Sequence, residues 1–230
     1  MNLPKFWGLI GYTAVGPDRP GTKLKENPMI IKINPDNPQE RLLRRAAETL
    51  TAGGLIAYPT DTCYAIGCDL YNLKGINRIY YLKRRPLNKP FSFICRDLKN
   101  ISEYARVGNS AYKVMKRLLP GPYTFVLEAS RQVPKILQTK RRTVGIRVPD
   151  HPIALGLVEL LGHPIITTTV ALPDSPVESD PYEIEIKFKP HLELVIDGGL
   201  VLPEPSSIIS FIDDVPEVLR VGKGDVSAFA

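Results

Sequence analysis

The sequence predicts a single α/β domain built on a twisted, mixed β-sheet with flanking helices. Three observations carry that prediction. Short apolar or β-branched runs alternate with segments of helical periodicity from Met29 onward. The stretches between them are short, which leaves no room for an interdomain linker. The composition, 43% hydrophobic and 23% charged over 230 residues, supplies an ordinary core without staples.

Residues 1–28 stand apart. They are rich in Gly and Pro and hold no sustained period, so they read as an N-terminal extension outside the core, with the domain spanning 29–230. "FWGLIGYTAV" is broken by glycines and lacks a clean small-residue cleavage site, unlike a signal peptide.

From Met29 the elements follow one another. "MIIKIN" is a strand. A helix over "PQERLLRRAAETLTAGG" follows, capped by Asp36 or Asn37, with Leu42, Leu43, Ala46, Ala47 and Leu50 on one face and Gly53 as its stop. "GLIAYPT" and "CYAIGC" are strands. Helical spacing of Leu73, Ile76, Ile79, Tyr80 and Leu82 predicts a helix from Asn72 through Arg84. "FSFIC" is a strand, and "NSAYKVMKRLLPG" a helix ended by Pro-Gly. "PYTFVLEAS" and "TVGIRV" are strands around a small helix, "VPKILQ". "HPIALGLVELLG" is a helix that leads into the strand "PIITTTVAL", and the tail supplies the strands "LELVID", "SSIISFI" and "EVLRVG".

Composition narrows the function. No run of 18 apolar residues is present, which argues against a membrane-spanning helix. Cys63, Cys68 and Cys95 match no metal-ligand spacing and read as buried, reduced thiols, as suits a cytoplasmic protein. His151, His163 and His191 are scattered, so a histidine metal site is not expected. The net charge of +6 is unevenly spread: Lys74 to Arg147 holds 18 Lys and Arg against 3 Asp and Glu, while 148–230 holds 4 against 14. A middle segment at net +15 points to a polyanion or to nucleotide phosphates, or else to basic residues coating solvent-facing helices.

Four polar stretches fall at predicted element ends, where α/β sheets bind ligands: "YPTDTCY" (58–64), "KRRP" (83–86), "PGPYTF" (120–125) and "TTT" (167–169). Cations in a last helical turn complement its carbonyls, which accounts for Arg84. Crowding Lys83, Arg84 and Arg85 together is costly unless some of them meet phosphate. Thr60 and Thr62 share a side if the chain there is extended, with Asp61 opposite. Such hydroxyls also often bond only their local backbone. Neither GxxxxGK nor GxGxxG occurs, so a nucleotide would be held by side chains rather than by a glycine-rich loop.

In order, "YPTDTCYAIGC", "LKRRP", "FSFICRDL", "PGPYTFVL", "VGIRVPDHPIA", "PIITTTVALP", "DGG", "PSSII" and "LRVGKGD" resemble the YrdC/YciO family, and within it the YciO branch, over about residues 30–230. The resemblance implies a large basic cleft in one α/β domain. It also implies L-threonylcarbamoyladenylate synthase-like chemistry, a nucleotidyl transfer in which ATP, L-threonine and bicarbonate give threonylcarbamoyl-AMP and pyrophosphate for tRNA modification. Residue by residue, it assigns Lys83, Arg85, Thr167, Thr169, Ser206 and Arg220 to the nucleotide and its phosphates, leaving Arg84 solvated. Thr60, Thr62, Tyr64, Thr124 and Arg147 fall to the threonine pocket. Mg2+ would accompany ATP, held by phosphates and water rather than by a protein metal site. RNA, double-stranded or tRNA, would meet the basic face, and a non-catalytic RNA-binding protein is the rival reading. Two departures weaken or redirect the synthase reaction. Ala171 stands where the synthases carry Asn in Ser-Thr-Ser-Ala-Asn, and "NKPFSFIC" lacks their His.

Overall fold

The computed structural model describes residues 29–86, 91–137 and 141–229. The expected 1–28 extension lies outside the described residues. So does all of "LNKP", the start of the stretch that lacks the synthases' His.

The expected strands all form. They are β1 (Ile30–Lys32), β2 (Ile56–Tyr58), β3 (Ala65–Asp69), β4 (Ser92–Ile94), β6 (Tyr123–Ala129), β7 (Thr143–Arg147), β8 (Ile165–Thr169), β9 (Leu194–Asp197), β10 (Ser207–Ser210) and β11 (Glu217–Arg220). A short β5 (Ala105–Arg106) is added beside β6. One mixed sheet runs β1-β9-β2-β3-β8-β4-β7-β6-β10-β11. The pairs β1–β9, β9–β2, β4–β7 and β6–β10 are parallel and the rest antiparallel.

The helices are α1 (Glu40–Thr51), α2 (Leu73–Leu82), α3 (Leu98–Tyr104), α4 (Asn109–Leu118), α5 (Pro152–Leu161) and α6 (Pro181–Phe188). α1 buries Leu43, Ala46, Ala47 and Leu50. Its cap differs from expectation. The helix starts after Gln39, because Asn34 and Asp36 build a turn instead, with Asp36 N–H donating to Asn34 Oδ1 at 2.9 Å. α2 is capped by the Asn72 side chain, which accepts from the amides of Lys74 and Gly75. It stops at Leu82, not Arg84: Arg84 takes a left-handed backbone (φ 44°), and Pro86 follows. α3 and α6 were not expected. Each is short, yet each has a visible start signal: Asp97 accepts from Asn100 N–H, and Asp180 accepts from Tyr182 N–H just before Pro181 at the helix start. "VPKILQ" makes only one 3-10 turn, Lys135–Leu137.

The sheet is covered unequally. One face packs on α2, α3, α4 and α6 through Ile76, Ile79, Ile101, Met115, Ile184 and Phe188. On the other face, α1 and α5 bury Ile56, Tyr58, Ala65, Ile94 and Ile165, and that second core extends no further across the sheet. Beyond it the registers place a transverse row on the same face. Gly67 faces Thr167, Thr167 faces Ser92, Ser92 faces Gly145, Gly145 faces Val126, and Val126 faces Ser210. Ser92, Gly145 and Val126 stay partly exposed although they lie on interior strands. No described helix covers them. The fold thus leaves a shallow floor of small side chains.

Candidate functional site

The loop after β2 forms one wall of this floor. The sequence reading placed Thr60 and Thr62 together by extension. They are together, with hydroxyls 3.2 Å apart, but through a turn. Thr60 Oγ1 accepts from the amides of Thr62 (3.3 Å) and Cys63 (3.2 Å) and donates to Cys63 O (2.6 Å). Its single proton is therefore spent on the local backbone. Both threonines are buried. The turn also brings Asp61, expected on the opposite side, against Arg147, and the two form a largely buried ion pair. Lys223 donates to Asp61 O (2.6 Å), and Glu204 N–H donates to Thr62 O (3.0 Å), so the C-terminal third holds this loop in place.

Arg147 shares its corner with Thr124, Ser206 and Arg220. Thr124 and Ser206 exchange a hydroxyl bond at 2.8 Å. Arg220 donates to Ser206 O from Nε (3.0 Å) and Nη2 (2.7 Å), and from Nη2 to Ser206 Oγ (3.3 Å). Burial lowers the Arg220 pKa from its ordinary value, the direction expected for a cation with little compensating anion nearby.

A second group lies across the floor. Tyr58 donates its hydroxyl to Thr167 Oγ1 at 3.0 Å, and burial keeps that phenol well above its ordinary pKa. Lys83 reaches the end of β8, donating to Thr169 O (3.2 Å) and Ala171 O (2.7 Å). Desolvation, then the neighbouring Arg85, lowers its ammonium pKa. Lys83 thus fastens the turn after β8. Arg85 lies over the Phe91 ring at 4.8 Å, and Arg84 is exposed, as expected.

Tyr64 departs from its expected place in the pocket. It sits in the core, and its hydroxyl donates to Gly199 O (2.7 Å) and accepts from Gly198 N–H (3.2 Å). It braces the turn after β9 from behind. The structure therefore gathers Thr62, Thr124 and Arg147, expected at the threonine pocket, with Ser206 and Arg220, expected at the nucleotide, at one corner, and Lys83, Thr167 and Thr169 at the other. From Thr167 through Ser92 to Gly145 is two strand spacings, roughly 10 Å. Sequence reasoning missed Asp61 as Arg147's partner, along with Ser92, Gly145 and His151. The only available signals were an Asp flanked by threonines and the "PDHP" turn.

Cys63, Cys68 and Cys95 are buried and free, and burial pushes the Cys68 and Cys95 thiols well up. Among the described residues no group of three or more His, Cys, Asp or Glu is placed to hold a metal ion. Among them, too, no helix is long and apolar enough to cross a membrane.

The family model Sua5_yciO_yrdC, described as "Telomere recombination", matches residues 48–222. The chain is 44% identical over 199 residues to the uncharacterized protein YciO of Escherichia coli (strain K12), covering 86% of this chain and 97% of that one. The crystal structure of E. coli YciO superposes with a TM-score of 0.83 at 42% identity, covering 87% of this chain and 98% of that one. A putative threonylcarbamoyl-AMP synthase of Methanocaldococcus jannaschii is 35% identical over 198 residues, 84% of this chain and 92% of the relative. P. abyssi Sua5, crystallised with L-threonine, superposes with a TM-score of 0.78 at 30% identity; the match covers 84% of this chain but 57% of that one.

Proposed function

The chain belongs to the Sua5/YciO/YrdC family, and on that premise we propose that it is an ATP-using enzyme that joins an amino-acid carbamate, threonine's in the synthase relatives, to adenylate. The observation that carries this reading is the buried Asp61–Arg147 pair beside Thr124, Ser206 and Arg220 on an uncovered sheet face. In the reaction a carbamate oxygen attacks the α-phosphorus of ATP and pyrophosphate leaves. Two anions must approach, so cations held in fixed places lower the barrier by positioning and by charge stabilisation. Arg147 and Arg220 serve the amino-acid side, while Lys83, Arg85, Thr167 and Thr169 frame the nucleotide side. Mg2+ would accompany the nucleotide, held by phosphate and water oxygens. When bound it neutralises phosphate charge. Pyrophosphate release dependent on ATP, bicarbonate and L-threonine together tests the reading, and release indifferent to the amino acid would overturn it.

Ala171 marks how this chain differs from the synthases. It is buried, and its carbonyl already accepts from Lys83. Ala171→Asn is expected to lower stability by about 1–3 kcal/mol through an unpartnered amide, without raising pyrophosphate release. Thermal melts and the release assay check both parts, and a rate gain of about tenfold would show that the nucleotide site lacks only this amide.

A second reading, RNA binding on the basic face, is favoured by one feature. A cavity of about 310 Å³ at the ends of β5, β6 and β7 is lined by Arg106, Arg131, Arg141 and Arg142, with Glu128 the one carboxylate among the lining residues. Affinity for a short RNA duplex should then fall steeply with salt, each neutralised phosphate contributing about −0.9 to the logarithmic slope in the B-DNA case and somewhat less for single strands. Arg131→Ala with Arg141→Ala should flatten that slope. A salt-independent affinity would remove the reading.

A further inference from the structure

Four buried side-chain atoms have no hydrogen-bond partner among the described residues: Asp61 Oδ2, Arg147 Nε, His151 Nδ1 and Tyr80 Oη. Three of the four belong to one neighbourhood. Asp61 and Arg147 are paired to each other through their other atoms. His151 follows Arg147 by four residues, at the N-cap of α5, and feels the charges of Asp61, Asp150 and Arg147. Buried polar atoms are rarely left unpaired, and a cluster of them at a candidate site marks a place completed by a ligand.

The chemistry of the three atoms narrows that ligand. Asp61 Oδ2 only accepts, Arg147 Nε only donates, and a neutral imidazole with a bare Nδ1 accepts. The complement is a group that sets several donors beside an acceptor. A lone carboxylate would place its oxygens against Asp61, and a lone phosphate would do the same. The zwitterionic head of an α-amino acid meets all three atoms, with its ammonium toward Asp61 and His151 and its carboxylate toward Arg147.

We propose that Asp61, Arg147 and His151 form the socket for the ammonium and carboxylate of the amino-acid substrate, with His151 Nδ1 taking the ammonium proton. The proposal rests on the enzymatic reading above and adds to it a proton acceptor. An ammonium has no lone pair and cannot attack hydrogencarbonate. Transfer of one proton to His151 gives an amine and an imidazolium. The amine nitrogen then forms a bond to the hydrogencarbonate carbon, and one proton from nitrogen leaves with a hydroxyl as water. The product is the carbamate anion. Asp61 stabilises the imidazolium that forms, and Arg147 holds the carboxylate still.

The electrostatics suit the role. Burial lowers the His151 pKa below its ordinary value; Asp61 and Asp150 oppose the shift, and Arg147 reinforces it. The ring is therefore neutral near pH 7. Because the folded value lies below the unfolded one, the stability carried by neutral His151 is complete above about pH 6.5. It is lost as the pH falls through the folded value.

His151→Asn separates placing from proton transfer, since its amide oxygen accepts a hydrogen bond but takes no proton. Two measurements decide the matter. Calorimetry with L-threonine should show wild-type affinity weakening as the pH falls below about 6.5 through the folded value, where His151 charges and repels the ammonium. The variant should bind within about threefold of wild type at neutral pH, with this acid dependence gone. Pyrophosphate release by the variant at neutral pH should fall by at least about a hundredfold and recover as rising pH frees the amine in solution. Wild-type protein that does not bind L-threonine overturns the enzymatic reading itself. Wild-type binding and turnover, with the variant matching both pH profiles, overturns the role of His151 alone.

Discussion

Arg147→Ala is expected to destabilise the protein by about 3–5 kcal/mol, because it strands a buried carboxylate. The Arg147 and Asp61 side chains are only 9% and 11% exposed, so water cannot take over the pairing. Lys223 is nearby, but it bonds the Asp61 backbone carbonyl rather than its carboxylate. Much of the loss is the penalty on Asp61 and not the worth of the pair, so Asp61→Asn in the same chain should restore part of it. The pair of single variants and the double variant form a cycle whose coupling energy can be read from urea midpoints. Amino-acid binding should be lost in the single and the double variant alike, because Arg147 Nε is absent from both. Wild-type-like unfolding of Arg147→Ala would show that Asp61 is solvated after all.

The second large effect concerns Lys83. Lys83→Ala removes two charge-assisted bonds to Thr169 O and Ala171 O. Lys83 is only partly buried and solvent replaces some of what is lost, so about 1.5–3 kcal/mol in total is expected rather than that amount for each bond. Nucleotide affinity should fall at least about tenfold, because the turn after β8 that frames the site is released. Arg84→Ala, at an exposed position, should change stability by less than about 0.5 kcal/mol and leave nucleotide affinity unaltered. A direct phosphate ligand with no fastening role would lose affinity with no change in melting temperature. That pattern would give Lys83 the phosphate role alone.

The comparison between sequence and structure has a physical pattern. Strands and long helices were legible because burial imposes a period: Leu43, Ala46, Ala47 and Leu50 on α1 repeat as one covered face must. α3 and α6 were not, because seven or eight residues hold too few turns for a period to emerge. Only their aspartate caps announce them. At the site, residue types were legible while pairings were not. The resemblance points to Arg147, but its partner is 86 residues away in sequence, and only the turn at Thr60 turns Asp61 toward it. Lys83 illustrates the converse. Its charge was visible, but its commitment to two carbonyls depends on where β8 ends, which no local rule fixes. Tyr64, which the resemblance assigns to the threonine pocket, is a core ring whose hydroxyl is anchored on Gly199 O.

The strand order also governs when this protein can exist during its own synthesis. β9 lies between β1 and β2, and β8 between β3 and β4. A ribosome that has made only the first hundred or so residues has therefore released four principal strands, yet in the native order only β2 and β3 among them are neighbours. The sheet closes only after Asp197 has emerged, and Ser206, Arg220 and Lys223 complete the candidate site later still. Nascent chains halted before β9 should remain protease-sensitive along their whole length, with apolar β1 and β2 segments lacking their native neighbour and open to capture by chaperones. Maturation is in this sense an end-of-translation event, because Glu204 and Lys223, which lock the first loop of the site, come near the end of the chain.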